Sequence, residues 1–108
     1  MDRQEVIDEA VRRLVKYFQP ERIYLYGSTA RGEDRPDSDL DFLVVVPDDT
    51  PSRRFWEVYK ELAGLEIAVD VRPFRLRDFH ARKDWLMSLP AIALREGKVV
   101  YDAHSEAA

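Results

Sequence analysis

Residues 27–46, GSTARGEDRPDSDLDFLVVV, hold the features that decide the fold and its chemistry. The stretch opens with a Gly-Ser pair, passes through a polar loop and ends in a run of aliphatic side chains. Two aspartates, Asp39 and Asp41, stand at the entrance to that run. Like charges repel, and an unpaired carboxylate is costly to bury. The pattern therefore predicts a positive partner at this point, and a bound metal ion is the candidate that the spacing favours.

The segment LDFLVVV, residues 40–46, is the clearest strand of the sequence. It is apolar on both faces beyond Asp41, which is typical of a central strand in a sheet covered on both sides. β-Branched and aromatic residues predict three further strands. These are 22–26, 65–74, which Pro73 interrupts, and 98–103.

Residues i and i+2 of a strand point to the same face, about 6.5–7 Å apart. Asp39 and Asp41 therefore lie close enough to share a cation. Asp70 interrupts the apolar pattern of the 65–74 strand, and three carboxylates converge if that strand lies beside 40–46. Hard oxygen ligands without His or Cys favour Mg²⁺ or Mn²⁺ over Zn²⁺. Taken singly, Asp39 can cap a turn and Asp70 can pair with Arg72, and both alternatives stay open.

Helical patterns fill the segments between the strands. An apolar stripe predicts a helix over 3–18 that Pro20 ends. A second helix is expected from Thr50 to Gly64, and two helical pieces are expected within 76–95, divided at Pro90. Helices alternating with strands over residues 1–108 predict a single α/β (α+β) domain, with a small mixed β-sheet covered by helices.

The Gly-Ser pair suits a phosphate. Gly27 follows a strand and permits unusual dihedral angles and a close approach of the backbone. Ser28 is expected to start a short helix over 29–33, whose free N–H groups face phosphate oxygens. Arg31, one turn further on, can reach a triphosphate or remain a solvated arginine. The stretch has neither the Lys of a P-loop nor the glycine spacing of a dinucleotide-binding motif.

Composition limits the class of protein. The chain is 45% apolar and 35% charged, with a net charge of −4, which argues against non-specific nucleic-acid binding. The sequence has no apolar run of about 18 residues, so no membrane span is expected. It also has no cysteine, which fits a cytoplasmic protein.

Gly27-Ser28, ten intervening residues and Asp39-Leu40-Asp41 together resemble the signature of the DNA polymerase beta-like nucleotidyltransferase superfamily. The local form LYGSTARGEDRPDSDLDFLVV resembles its minimal nucleotidyltransferase (MNT) group. The resemblance covers residues 20–72 most strongly. It departs at Thr29, where relatives often carry Arg, which leaves Arg31 as the main candidate for a phosphate contact.

The resemblance implies a role for each residue of the motif. Gly27 and Ser28 would bind the nucleoside triphosphate. Asp39 and Asp41 would hold two Mg²⁺ ions, with Mn²⁺ as a possible substitute. Asp70 would be the third carboxylate, which ligates the catalytic metal and favours deprotonation of the acceptor hydroxyl.

Members of the MNT group commonly act as antitoxins of HEPN-type ribonuclease toxins encoded in the same operon. The resemblance implies transfer of AMP from ATP to a hydroxyl of such a partner. Two alternatives remain: an antitoxin that neutralises its toxin by contact, and a nucleotidyltransferase acting on a small molecule such as an aminoglycoside. The 38 residues after Asp70 are needed to complete the sheet, which leaves no acceptor domain and favours a tyrosine of a docked partner.

The segment 79–94, FHARKDWLMSLPAIAL, is more apolar than one helix stripe requires. We expect it to form a surface for a partner or for self-association. The alternative is that its apolar side chains all close the core. The apolar residues concerned are Phe79, Trp85, Leu86, Met87, Leu89, Ile92 and Leu94.

Overall fold

Four strands form one mixed sheet in the computed structural model, which describes residues 1–28, 30–32, 35 and 38–105. In chain order they are β1 (Arg22–Tyr26), β2 (Leu40–Val46), β3 (Val69–Arg75) and β4 (Lys98–Asp102). The spatial order is β3-β2-β1-β4. β1 is antiparallel to both of its neighbours, whereas β2 and β3 are parallel. The predicted α+β fold with a small mixed sheet is therefore confirmed.

β2 is an inner strand of the sheet, between β3 and β1, as its apolar sequence predicts. Leu40, Phe42, Val44 and Val46 are buried in a core on one face of the sheet. Leu43 and Val45 are buried in a smaller core on the other face. Because successive side chains alternate between faces, Asp41 belongs to the second face.

Helices cover both faces. They are α1 (Arg3–Phe18), α2 (Arg54–Glu57), a 3₁₀ helix (Val58–Leu62), α3 (Leu76–Arg82) and α4 (Leu89–Glu96). α1 and the 3₁₀ helix supply the larger core, through residues such as Leu14 and Val58. α3 and α4 supply the smaller core, through Phe79 and Ala93. None of the helices in the described ranges is long and apolar enough to cross a membrane.

α1 has the bounds that its apolar stripe predicts. Asp2 caps its first turn by accepting a hydrogen bond from the backbone N–H of Glu5, whose side chain accepts one from the Asp2 N–H in return. This reciprocal capping satisfies donors that the helix itself leaves unpaired. The helix ends at Phe18, two residues before Pro20, and the next residue, Gln19, adopts a left-handed conformation with φ of 49°.

Two predicted helix boundaries are wrong. The second helix begins at Arg54 rather than Thr50, because residues 50–53 form turns closed by bonds such as Arg54 N–H to the Pro51 carbonyl. Pro90 does not divide the later helices. It lies in the first turn of α4, where a missing N–H costs nothing, and the Ser88 hydroxyl caps that turn. The break falls at 83–88 instead.

The third strand also differs from its prediction. It begins at Val69 rather than at residue 65, and it continues through Pro73. A proline is tolerated there because β3 lies at the edge of the sheet, where one side of the backbone needs no partner strand.

The short helix predicted over 29–33 is not present as such in the described part of that segment. Gly27, Ser28 and 30–32 form turns, and the Arg31 N–H donates to the Gly27 carbonyl at 3.2 Å. Thr29, Glu33 and most of the predicted loop at 33–38 lie outside the described residues, as do the last three residues of the chain.

Candidate active site

The candidate site lies where β1 ends and where β2 and β3 begin. In the sheet, Asp41 pairs with Tyr26 across the antiparallel β1–β2 ladder and with Asp70 across the parallel β2–β3 ladder. Directly paired residues point to the same face. The predicted juxtaposition of Asp41 with Asp70 is therefore present, and it depends on the register of three strands.

Gly27 packs directly against Asp41. Its φ is +76°, in the left-handed region, and a Cβ built on it would lie 2.5 Å from Asp41 Oδ2. Both the dihedral angle and the space therefore require glycine at this position. Ser28 follows Gly27 in the turn that starts here, and it is half-buried.

Arg31 lies between the carboxylates and the end of α4. Its guanidinium Nη1 is 3.6 Å from Glu96 Oε2. Its positive charge also acts on Asp41, where it favours the ionised carboxylate. The arginine that the sequence singled out is therefore beside the site, and α4 shares in holding it.

The environment of Asp41 disfavours its charge. Partial burial raises the pKa of the Asp41 carboxyl, and the charges of Asp70 and Asp39 raise it further. Arg72 and Arg31 oppose that rise without cancelling it. The three aspartates that the sequence selected therefore interact electrostatically, and their combined negative charge would favour a bound cation.

Asp70 already has partners within the protein. Its Oδ2 accepts a hydrogen bond from Arg72 Nε at 3.1 Å, and its Oδ1 accepts one from the Tyr59 hydroxyl at 3.3 Å. The sequence left open whether Asp70 pairs with Arg72 or lies beside Asp41. In the structure it does both. The two possibilities do not exclude each other.

Tyr59 also reaches the free edge of β3. Its hydroxyl accepts a hydrogen bond from the Val71 N–H at 3.2 Å and lies 3.3 Å from the Val71 carbonyl oxygen. These are backbone groups that an edge strand would otherwise present to solvent. One phenol therefore closes the strand edge and contacts the carboxylate beside it.

Tyr26 also belongs to the site, although no sequence pattern singles it out. Burial, followed by the charges of Asp41 and Asp70, raises the pKa of its phenol to about 12, so it stays neutral at physiological pH. A tyrosine in the segment RIYLY looks like an ordinary strand residue. Only the β1–β2 register, which no local pattern specifies, places it opposite Asp41.

The donor set suits a hard divalent cation. Asp39, Asp41 and Asp70 supply only carboxylate oxygens, and Gly27 keeps the space beside Asp41 Oδ2 free of a side chain. Within the described ranges, however, no three acidic or histidine side chains are already gathered closely enough to hold an ion. Instead Arg72 provides a cation at Asp70. The residue types therefore fit a metal ion, but the three carboxylates have to move closer together to ligate one.

The sequence of the chain matches the model of a known protein family. The sequence model of the nucleotidyltransferase domain matches residues 6–92, which include every residue of the candidate site. Among curated proteins, none matches the chain significantly.

Several solved structures share the fold. A toxin–antitoxin structure with AMP-PNP is 23% identical with a TM-score of 0.64, over 90% of this chain and 73% of the other. A complex of tri-AMPylated HEPN toxin with MNT antitoxin from Shewanella oneidensis is 21% identical with a TM-score of 0.60, over 92% and 71%. A spectinomycin adenyltransferase of Enterococcus, with ATP and spectinomycin, is 17% identical with a TM-score of 0.65, over 94% and 57%.

Proposed function

The chain belongs to the nucleotidyltransferase domain family and is therefore a transferase, and we propose that it moves AMP from ATP to a tyrosine hydroxyl of a HEPN-type toxin. In this proposal residues 1–108 act as one minimal catalytic domain, a cytoplasmic antitoxin that modifies its partner. The observation that carries the proposal is the pairing of Asp41 with Asp70 beside Gly27.

The similar structures support the choice of partner and of nucleotide. One of them contains an AMPylated HEPN toxin together with an MNT antitoxin, and another toxin–antitoxin structure contains an ATP analogue. Their folds cover at least 90% of this chain. The negative net charge of −4 adds a physical argument, because it disfavours an RNA acceptor.

Each residue of the site has a role in this proposal. Asp39, Asp41 and Asp70 would hold two Mg²⁺ ions, or Mn²⁺ in their place. Such ions supply charge stabilisation to both the attacking and the leaving oxygen of an in-line displacement. The groups that contact the triphosphate would be Gly27, Ser28 and Arg31.

The transfer itself is a substitution at the α-phosphorus of ATP. The acceptor hydroxyl oxygen forms a bond to that phosphorus, and the bond between the phosphorus and the oxygen leading to the β-phosphate breaks, which releases pyrophosphate. The hydroxyl proton is lost to solvent, and the carboxylate of Asp70 favours its departure. The chain contributes positioning and charge, without a covalent intermediate.

Two features of the described site serve that chemistry directly. The turn at Gly27 brings a backbone without side chains against Asp41, which leaves room for phosphate oxygens. Tyr59 and the β2–β3 ladder fix the direction of Asp70. Orientation of this kind is a large share of catalysis in well-aligned reactions.

Intact-mass spectrometry tests the proposal. The purified chain is mixed with the HEPN-type protein of its operon, ATP and Mg²⁺, and the masses of both proteins are recorded. We expect one or more AMP additions on the partner. Asp39→Asn should lower the rate by about a hundredfold or more, because a carboxylate ligand of the Mg²⁺ ions that would stabilise the charge on the reacting phosphate is lost.

The same experiment separates the other candidate functions. An adenyltransferase for spectinomycin shares the fold, so aminoglycoside-type acceptors are included as a second substrate. AMP on the small molecule, with the partner mass unchanged, would replace the protein acceptor in the proposal. Inhibition of the toxin without any mass change, and equally by Asp39→Asn, would instead indicate neutralisation by contact.

A further inference from the structure

The carboxylates of the candidate site have a positively charged side chain of the protein beside them. Arg72 and Asp70 stand at i and i+2 of β3, so both side chains point to the face that also carries Asp41. Arg72 Nε lies 3.1 Å from Asp70 Oδ2. The positive charge also favours the ionised form of Asp41. One arginine thus offsets part of the negative charge that the site accumulates.

The contact uses the carboxylate oxygen that a metal ion would need. Tyr59 already occupies Asp70 Oδ1, and Arg72 occupies Oδ2. A divalent ion and a guanidinium cannot share one oxygen at close range without strong repulsion. Binding of an ion at Asp70 Oδ2 therefore requires Arg72 to move.

Breaking the Arg72–Asp70 ion pair costs little free energy, because both side chains are partly exposed to solvent. The side chain of Arg72 is 57% exposed and that of Asp70 is 35% exposed. Solvent screens such a pair, and ion pairs of this kind are worth about 1 kcal/mol or less. The guanidinium lies on a long flexible side chain at the edge of the sheet, and it can swing into solvent without disturbing the core.

We propose that Arg72 is the resident counter-cation of the site and that a divalent ion displaces it from Asp70 on binding. This inference rests on the metal-binding role of Asp70 in the proposed function. It assigns Arg72 a role as a positioning residue: it keeps the carboxylates together in the metal-free protein and makes the first ion bind less tightly than the bare carboxylates would bind it.

The test is a titration of the metal-free protein with Mn²⁺ alone, followed by the electron paramagnetic resonance signal of the free ion. Arg72→Gln removes the competing charge and keeps a polar side chain of similar reach. We expect it to bind Mn²⁺ up to about fivefold more tightly, which corresponds to an exposed ion pair of about 1 kcal/mol. Arg72→Lys keeps the charge and should stay near the native affinity.

Arg77→Gln is the matched control. It removes the same charge from an exposed position at the start of α3, where the side chain has no described contact with Asp70. Circular dichroism and thermal melting establish that each variant is folded. Tightening in Arg72→Gln but not in Arg77→Gln supports displacement, whereas equal affinities of native protein and Arg72→Gln overturn it.

The two proposals fail in different ways. If the native chain and all variants leave Mn²⁺ free, the metal-binding role of the carboxylates is wrong, and the displacement inference falls with it. If the native chain binds Mn²⁺, if Asp70→Asn abolishes that binding and if Arg72→Gln changes nothing, only the inference about Arg72 is wrong.

Discussion

At the scale of single residues, the charge of Asp41 lowers the stability of the fold while suiting the proposed function. Its strand is otherwise apolar, and the raised pKa of its carboxyl reflects burial and two neighbouring negative charges. A residue whose ionised form is disfavoured in the fold reduces stability, so its presence is better explained by function than by folding.

The first prediction concerns the stability of Asp41→Asn without metal. Because the pKa of Asp41 is higher in the folded than in the unfolded chain, the fold loses stability as pH rises from the ordinary aspartate pKa through the raised value. Asparagine removes this cost. We expect the variant to melt at a higher temperature at neutral pH, and the difference to vanish in acid below the ordinary pKa.

Melting curves across pH in EDTA measure this difference. A variant that is less stable than the native chain at neutral pH would show that Asp41 contributes structurally useful contacts. The same variant should lose nucleotidyl transfer, so stability and activity are expected to move in opposite directions.

The second prediction compares two glycines. Gly27→Ala and Gly32→Ala both place a side chain at positive φ, of +76° and +73°, and each should lose about 1–2 kcal/mol of stability. Only at Gly27 does the added Cβ meet Asp41 Oδ2, at 2.5 Å, while at Gly32 it meets no described atom within 4 Å. Because the carboxylate must turn away, Gly27→Ala should also lose most of its activity.

Denaturation and transfer assays on the two variants measure the two effects separately. Equal activity in Gly27→Ala and Gly32→Ala would mean that the close packing of backbone against Asp41 is not needed for catalysis. A large loss confined to Gly27→Ala would support the proposed nucleotide site.

At the scale of elements, the edge strand β3 depends on a residue from another element. Tyr59 of the 3₁₀ helix contacts the Val71 peptide and Asp70 together. We predict that Tyr59→Phe lowers stability by about 1 kcal/mol, through the lost hydrogen bonds, and also lowers the transfer rate.

Tyr17→Phe is the control for this third prediction. The Tyr17 hydroxyl also donates to a backbone carbonyl, that of Arg54, at 3.1 Å, but it lies away from the carboxylates. Chemical denaturation and the transfer assay are applied to both. If the two variants lose activity equally, Tyr59 has a purely structural role.

The segment that joins α3 to α4 is the most apolar exposed part of the described surface. Trp85, Leu86 and Met87 are 61%, 72% and 81% exposed, whereas Phe79 is buried. The alternative that all apolar side chains of 79–94 close the core is therefore wrong for the chain by itself. The expected partner or self-association surface stays a prediction, now centred on these three residues.

The fourth prediction is that Trp85→Asp weakens binding of the proposed HEPN-type partner, or self-association, by at least tenfold, since exposed aromatic residues often dominate interfaces. Trp56→Asp is the control, because Trp56 is similarly exposed, at 65%, in α2. Analytical ultracentrifugation of the chain alone and with its partner measures both. Unchanged association of a folded Trp85→Asp would exclude this surface.

The strength of local patterns explains which elements could be predicted. α1, β1 and β2 have the predicted bounds because an apolar stripe marks the helix and continuous runs of apolar and aromatic residues mark the two strands. The predicted helix start at Thr50 and the predicted helix break at Pro90 are wrong. A proline in the first turn of a helix and a proline that ends a helix have similar local sequences. The distinction depends on the Ser88 cap and on turns at 50–53, which tertiary packing selects.

At the scale of the whole molecule, a sequence motif and a strand register contribute different parts of the site. The motif identified Asp39, Asp41 and Gly27, and alternation in the next strand identified Asp70. Partners such as Tyr26 and Tyr59 could not be found this way, because they depend on which strands and helices lie side by side. The roles of the site residues remain predictions until the variants are measured.

The parallel pairing of β2 with β3 has a consequence for the folding of the chain during its synthesis. β1 and β2 form an antiparallel pair, but Asp41 and Asp70 are 29 positions apart and meet only when the parallel ladder closes. Long-range parallel pairing is intrinsically slow. An unfinished chain on the ribosome therefore carries the glycine turn and two of its acids without the third, and under the proposed role of Asp70 it transfers no nucleotide until β3 has been synthesised and docked.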